Sequence, residues 1–166
     1  MFSPTFATQI VLSLLLAAPP ASPSAPAPTA SGDDEAMRIA QEVTTTGAKL
    51  FAAKDAQGLA DTYIDSGRIV LISRDEAAGG LKRDVREGRS AVLEAYKDLF
   101  QTPDPISAVN RVEYARLLGP EILEISGTLV LTDSNGMHRF PFTQLRVREG
   151  GFWRIAEVQI FLAPES

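Results

Sequence analysis

Phe51–Ser73, FAAKDAQGLADTYIDSGRIVLIS, packs the end of one helix, a short second helix and a buried strand into immediate succession. Asp55 is placed to cap the second helix, because its carboxylate can accept the unpaired N–H groups of the first turn. Leu59 and Tyr63 stand four residues apart and share a helical face. Gly67 is the residue expected to close that helix in a left-handed conformation. Ile69-Val70-Leu71-Ile72 then runs apolar without alternation, as does a strand covered on both faces. This order of elements points to a cone-shaped α+β fold and announces no chemistry.

Working outward, the chain of 166 residues suits one domain. Residues 1–32 contain no Asp, Glu, Lys or Arg. Ile10–Ala18 is an apolar block too short to span a bilayer, and Pro19–Ser31 is rich in Pro, Ala and Ser, with Ala25-Pro26-Ala27 as a small-x-small cleavage candidate. The expected organisation is a signal peptide over 1–27, a Pro/Ala/Ser-rich tether over 28–32 and one domain over 33–166. It implies a secreted protein, periplasmic or extracellular. The absence of Lys and Arg from the first nine residues departs from the usual signal pattern. The chain has no cysteine, which excludes a disulfide framework, a lipid-modified cysteine and thiolate metal sites. A formal charge of −5 argues against nucleic acid as a partner.

Within the domain, Asp33 to Lys54 reads as a first helix. Asp33, Asp34 and Glu35 stand beside the positive end of its dipole, and Ile39, Ala40, Val43, Gly47, Leu50 and Phe51 form its apolar stripe. Arg74–Gly88 reads as a polar loop. Ser90 is placed to cap a third helix, Ala91–Gln101, which Pro103 and Pro105 stop. Four strands in an antiparallel meander follow: Val109–Leu118, Glu121–Thr132, Met137–Arg148 and Phe152–Leu162.

Three-residue loops at Ser134-Asn135-Gly136 and Glu149-Gly150-Gly151 set the expected registers. They pair Ile125 with Leu145 and Leu145 with Ile155. A slip of one residue would set Trp153 and Ile155 beside Arg148 and Arg146, which the hydrophobic pattern rejects. The expected concave face therefore carries Leu123, Ile125, Leu129, Leu131, Thr143, Leu145, Val147, Trp153, Ile155, Glu157, Gln159 and Phe161. Phe140, Phe142, Val158, Ile160 and Leu162 fall on the outer face, with Arg146 and Arg154, as an apolar patch suited to a partner.

The motifs resemble the nuclear transport factor 2-like superfamily, which includes SnoaL-like cyclases and ketosteroid isomerases. Lys54-Asp55-Ala56-Gln57-Gly58-Leu59 is similar to its linker into the second helix, and Tyr63-Ile64-Asp65 to its aromatic-x-acid end. Glu87-Gly88-Arg89-Ser90-Ala91-Val92 resembles its start of the third helix, and Gly151-Phe152-Trp153-Arg154-Ile155-Ala156 its last strand. Together these span about residues 36–162. The resemblance implies a strongly bent antiparallel sheet wrapped around N-terminal helices, the roll shared with cystatin-like proteins. It further implies a conical ligand-binding pocket, and in many members a dimer through the outer sheet face, here a homodimer via Phe140, Phe142, Val158 and Ile160. Functions in the superfamily are scattered, so the fold does not supply one.

Isomerase-type chemistry needs a carboxylate base and hydrogen-bond donors for an oxyanion. The resemblance places Gly47 where the donor tyrosine would stand and Val70 and Leu71 near the base, so neither role is filled. His138 reads as a solvated loop residue. Glu157 is the one catalytic candidate: by parity it shares the concave face with Trp153, where burial would raise its pKa, and the alternative is a rim position or a pair with an arginine. Tyr63, Tyr96, Thr143, Trp153, Glu157 and Gln159 are the candidate ligand-binding residues. The basic run Leu81–Arg89 reads as an anion site at the third helix or as a solvated loop with internal ion pairs. No metal and no cofactor are expected. The leading reading is an exported domain that binds a small apolar or amphipathic molecule. The alternatives are a SnoaL-like isomerase, cyclase or dehydratase with Glu157 as acid–base residue, and a protein-interaction module acting through the outer sheet.

Overall fold

The computed structural model describes residues 30–75, 79–101 and 107–162. Element order is α1 (Ala30–Ala52), α2 (Ala56–Asp61), β1 (Tyr63–Asp75), β2 (Gly80–Glu87), α3 (Arg89–Phe100), β3 (Ser107–Gly119), β4 (Ile122–Asp133), β5 (Gly136–Glu149) and β6 (Phe152–Phe161). The strands form one bent, open sheet in the order β2-β1-β6-β5-β4-β3. All neighbours are antiparallel except β1 and β6, which pair in parallel, so the sheet is mixed. The expected signal peptide, residues 28–29 of the expected tether, and Pro103 and Pro105 lie outside the described residues; α1 begins at Ala30, inside the expected tether.

The opening stretch folds largely as its pattern dictates. Asp55 caps α2, its Oδ1 accepting from the Gly58 amide at 2.8 Å. Leu59 is buried, and in β1 Ile69, Val70 and Ile72 are buried while Leu71 is half-buried, so the strand is covered on both faces. Gly67 does not end the helix. The strand begins at Tyr63, and Gly67 lies in an irregular stretch between Tyr63 and Arg68, where a Cβ would meet the Ile155 carbonyl oxygen at 2.7 Å. Its small size, rather than its torsional freedom, is what the position needs. The left-handed residue here is Lys54, with φ 53°, between α1 and α2.

Two further expectations are corrected. The expected loop Arg74–Gly88 supplies β2, which pairs with β1 from Arg68↔Glu87 to Asp75↔Gly80. As an edge strand exposed on both sides it shows no apolar alternation, and its lysine and arginines suit an edge. Ser90 does not cap α3; Gly88 stands at the cap with φ 87° and no side-chain cap bond.

The most consequential correction concerns β5. Both flanking turns have two residues rather than three. Asp133 pairs with Gly136, its Oδ1 accepting from the amides of Asn135 at 2.7 Å and Gly136 at 3.1 Å. Glu149 pairs with Phe152 across Gly150 (φ 58°) and Gly151 (φ 85°), a pair of positive φ values that type I′ turns require. Ile125 therefore faces Gln144, Leu123 faces Arg146, and Arg146 faces Ile155. This is the register that the hydrophobic pattern had rejected. The residue Ala156 is then extra: Arg146 pairs with Ile155 but Leu145 with Glu157, and the bulge turns over the rest of β6. Phe140, Phe142, Val158, Ile160 and Leu162 point inward, and Thr143 and Leu145 are exposed. The expected dimer face through Phe140, Phe142, Val158 and Ile160 consequently does not lie on the outside of the sheet.

Two apolar clusters hold the fold. Ala36, Ile39 and Ala40 of α1 pack with Ala115, Leu123, Ile125 and Phe142, with Trp153 against them. Ala60, Tyr63, Ile69, Val92, Ile155 and Val158 form the second. Ile160 touches both. Gly67→Ala is expected to destabilise the fold by about 1–3 kcal/mol through overpacking against the Ile155 carbonyl. Gly47→Ala, at a helical position with open space around the new methyl, is expected to stabilise it by about 0.5–1 kcal/mol. Urea denaturation of the two variants checks both signs.

Candidate functional site

Between the helices and the inward face of the sheet lies a cavity of about 540 Å³. Its size falls within the range of small-molecule sites. Gly47 and Phe51 of α1, Leu59 of α2, Ile69 and Leu71 of β1, and Leu129, Phe140, Phe142, Ile155, Val158 and Ile160 of the last three strands give it a mainly apolar wall. Leu71 faces the cavity near where the resemblance places an isomerase base, and Gly47 lines it where that mechanism would need a tyrosine.

Thr44, Thr62, Arg86, Asp98 and Asn110 also line the cavity, and one polar group, Tyr63, Tyr96, Gln144 and Arg146, is tied together by hydrogen bonds and electrostatics. Tyr63, at the start of β1, and Tyr96, on α3, bring their hydroxyls to 3.2 Å of each other. Gln144 and Arg146 stand two apart on β5, so they share its inward face. Arg146 is only 4 % exposed. Its Nε donates to Gln144 Oε1 at 3.1 Å, and its Nη1 donates to the Trp153 carbonyl at 3.0 Å. No carboxylate among the described residues lies within ion-pair distance of it. Burial draws the guanidinium pKa down to about 10, opposed by the neighbouring tyrosines, so it stays charged at neutral pH. Burial pushes the Tyr63 hydroxyl well above its ordinary value, with Tyr96 adding to the effect, and burial also raises Tyr96. Both hydroxyls are therefore neutral donors near pH 7.

The other expected site residues are elsewhere. Glu157, turned outward by the bulge, pairs with Arg68 and accepts a hydrogen bond from Gln159. Those contacts, the Gln159 bond foremost, hold its pKa below the ordinary glutamate value, the reverse of the raised pKa expected of a buried acid. Thr143 is exposed, and neither it nor Gln159 lines the cavity. Trp153 packs in the α1 cluster and borders a second, more polar cleft. Tyr63 and Tyr96 do line the cavity, while Gln144 and Arg146 were missed, because sequence parity had sent them outside. The Gly150-Gly151 pair was the signal for the shorter turn that places them. The basic run Leu81–Arg89 carries an ion pair of Arg86 with Asp84, and Arg89 donates to the Tyr63 carbonyl at 2.8 Å and pairs with Asp65 at 3.1 Å.

The polar group can donate hydrogen bonds to a bound oxygen, but it contains no base. Asp98 is the one carboxylate among the described lining residues; it is exposed on α3 and makes no hydrogen bond or ion pair with the four. Because Glu157 is ionised by its partners, its contribution to stability is fully present above the ordinary glutamate pKa and is lost as pH falls through the lower folded value. Glu157→Gln is expected to lower stability at pH 7 by up to about 1 kcal/mol and to flatten the acid side of the stability–pH curve. Denaturation curves between pH 3 and 7 check this.

No family model and no curated protein matches the sequence. Solved structures do. An NTF-2-like protein of unknown function from Shewanella oneidensis MR-1 superimposes with a TM-score of 0.61 at 17 % identity, over 75 % of this chain and 98 % of that one. A ketosteroid isomerase-like protein from Erwinia carotovora atroseptica gives 0.58 at 14 % identity, over 79 % and 99 %. A domain of unknown function with a cystatin-like fold from Nostoc punctiforme gives 0.58 at 11 % identity, over 80 % and 78 %. The chain has the nuclear transport factor 2-like fold.

Proposed function

We propose that this protein is an exported domain that binds one small amphipathic molecule in its central cavity, without catalysing a reaction on it. The observation that carries the reading is the cavity itself: about 540 Å³, walled mainly by apolar side chains, with the donors Tyr63, Tyr96, Gln144 and Arg146 grouped on its wall. Such a lining favours a ligand with an apolar body and one polar end. The reading as a binder is supported by what the cavity lacks among the described residues, a buried carboxylate or imidazole facing the donors. The isomerase-like alternative needed Glu157 as its acid–base residue, and that side chain is engaged with Arg68 on the other face of the sheet. Export is supported by the uncharged, apolar and then Pro/Ala/Ser-rich residues 1–32. N-terminal sequencing of the exported protein is expected to show a chain beginning after Ala27; a retained Met1 would refute cleavage.

The cavity is tested by filling it. A Cβ on Gly47 meets nothing within 4 Å, and the residue lines the cavity, so Gly47→Leu projects a side chain into the free space. The variant is expected to be as stable as the parent or more so, by up to about 0.8 kcal/mol of helix propensity. Native mass spectrometry of the purified protein is expected to show a retained small molecule on the parent and none on Gly47→Leu. Equal retention by both would show that any bound molecule sits elsewhere.

A further inference from the structure

We infer that the cavity selects a monoanionic ligand, an amphiphile whose carboxylate is received by Arg146, Gln144 and the Tyr63–Tyr96 pair. The inference rests on the proposed binding role and adds the chemistry of the ligand's head.

Counting donors and acceptors leads to it. Arg146 has five N–H groups and no acceptor. Its Nε and Nη1 are engaged by Gln144 and by the Trp153 carbonyl, and its Nη2 has no hydrogen-bond partner among the described residues. Gln144 spends its Oε1 on Arg146, and its Nε2 makes no hydrogen bond among those residues. The two tyrosine hydroxyls share one hydrogen bond, which uses one of their two protons and leaves the other to donate. The site is thus rich in donors, poor in acceptors and positively charged.

Arg146 is buried with no carboxylate in ion-pair reach, a costly arrangement for a charge. A ligand that brings both a negative charge and acceptor oxygens answers both deficits at once. The charge count selects the class. Arg86 also lines the cavity, but it is exposed and paired with Asp84, which leaves Arg146 as the buried guanidinium with no carboxylate in reach among the described residues. It balances one negative charge, whereas a phosphate monoester would bring nearly two. A carboxylate offers two coplanar oxygens, one for the free guanidinium edge and one for the amide or hydroxyl donor. Its apolar body then lies against Leu129, Phe142, Val158 and Ile160.

Isothermal titration of the folded protein with decanoate and with decan-1-ol separates the head from the body. The parent is expected to bind decanoate about tenfold or more tightly than decan-1-ol, as charge-assisted hydrogen bonds in a buried site require. In Arg146→Met the preference is expected to vanish or reverse, with decan-1-ol affinity changed less than about threefold. Arg146→Gln, which keeps a donor for the Trp153 carbonyl, serves if the methionine variant does not fold. Gly47→Leu is expected to abolish binding of both probes. Equal affinity of the parent for the two probes, or a preference for the alcohol, overturns the carboxylate inference while leaving the cavity reading standing. Decanoate binding that survives Gly47→Leu overturns it by placing the anion outside the cavity. Failure of both probes to bind the parent overturns the binding role itself, and the inference with it.

Discussion

A β-strand has two faces, and a slip of one residue exchanges them, so the hairpin turns on either side of β5 decide what the centre of this protein is made of. The turn at Gly150-Gly151 takes two residues in positive φ, a conformation that nearly any other pair would strain. The turn after Asp133 is tied by that carboxylate to two following amides. Between these fixed ends, Phe140, Phe142, Gln144 and Arg146 have to face the helices. The bulge at Ala156 then brings Val158 and Ile160 to the same side.

The energetic balance explains why a buried arginine is tolerated. The alternative register would bury Leu145, Val147 and Phe161 but expose Phe140, Phe142, Val158, Ile160 and Leu162. Each such apolar side chain contributes about 1.5–3 kcal/mol when fully buried. Burying an ion costs several kcal/mol in real proteins, and less where its N–H groups find oxygen partners. Arg146 finds two, in Gln144 and the Trp153 carbonyl. The aromatic and branched side chains therefore outweigh it, and the charge is carried into the core with them. What remains is a mainly apolar cavity whose buried cation, Arg146, has no anion in reach among the described residues.

The same geometry sets which chemical groups line the cavity. Ketosteroid isomerase chemistry needs a proton acceptor beside an oxyanion site. Here the cavity's donors come from β1, α3 and β5, and β1 presents Ile69 and Leu71 to it. Glu157, the one carboxylate that sequence parity offered, instead ties β6 to β1 on the outer face through Arg68.

Local chemistry sufficed for much of this fold. The cap at Asp55, the doubly covered strand at Ile69–Ile72, the apolar stripe of α1 and the existence of four closing strands depend on neighbours within a few residues, and all were legible in the chain. So were the absence of an isomerase tyrosine at Gly47 and the presence of Tyr63 and Tyr96 on inward faces. Edge strand β2 escaped notice because a strand open to solvent on both sides need not alternate. The inward placement of Gln144 and Arg146 escaped it for a deeper reason. A hydrophobic pattern scores each residue by its own preference, and by that measure an arginine belongs outside. Only the assembled sheet decides otherwise, because strand facing is collective: every second residue of β5 turns in together, and the tertiary structure then supplies the oxygen atoms that make one buried charge tolerable.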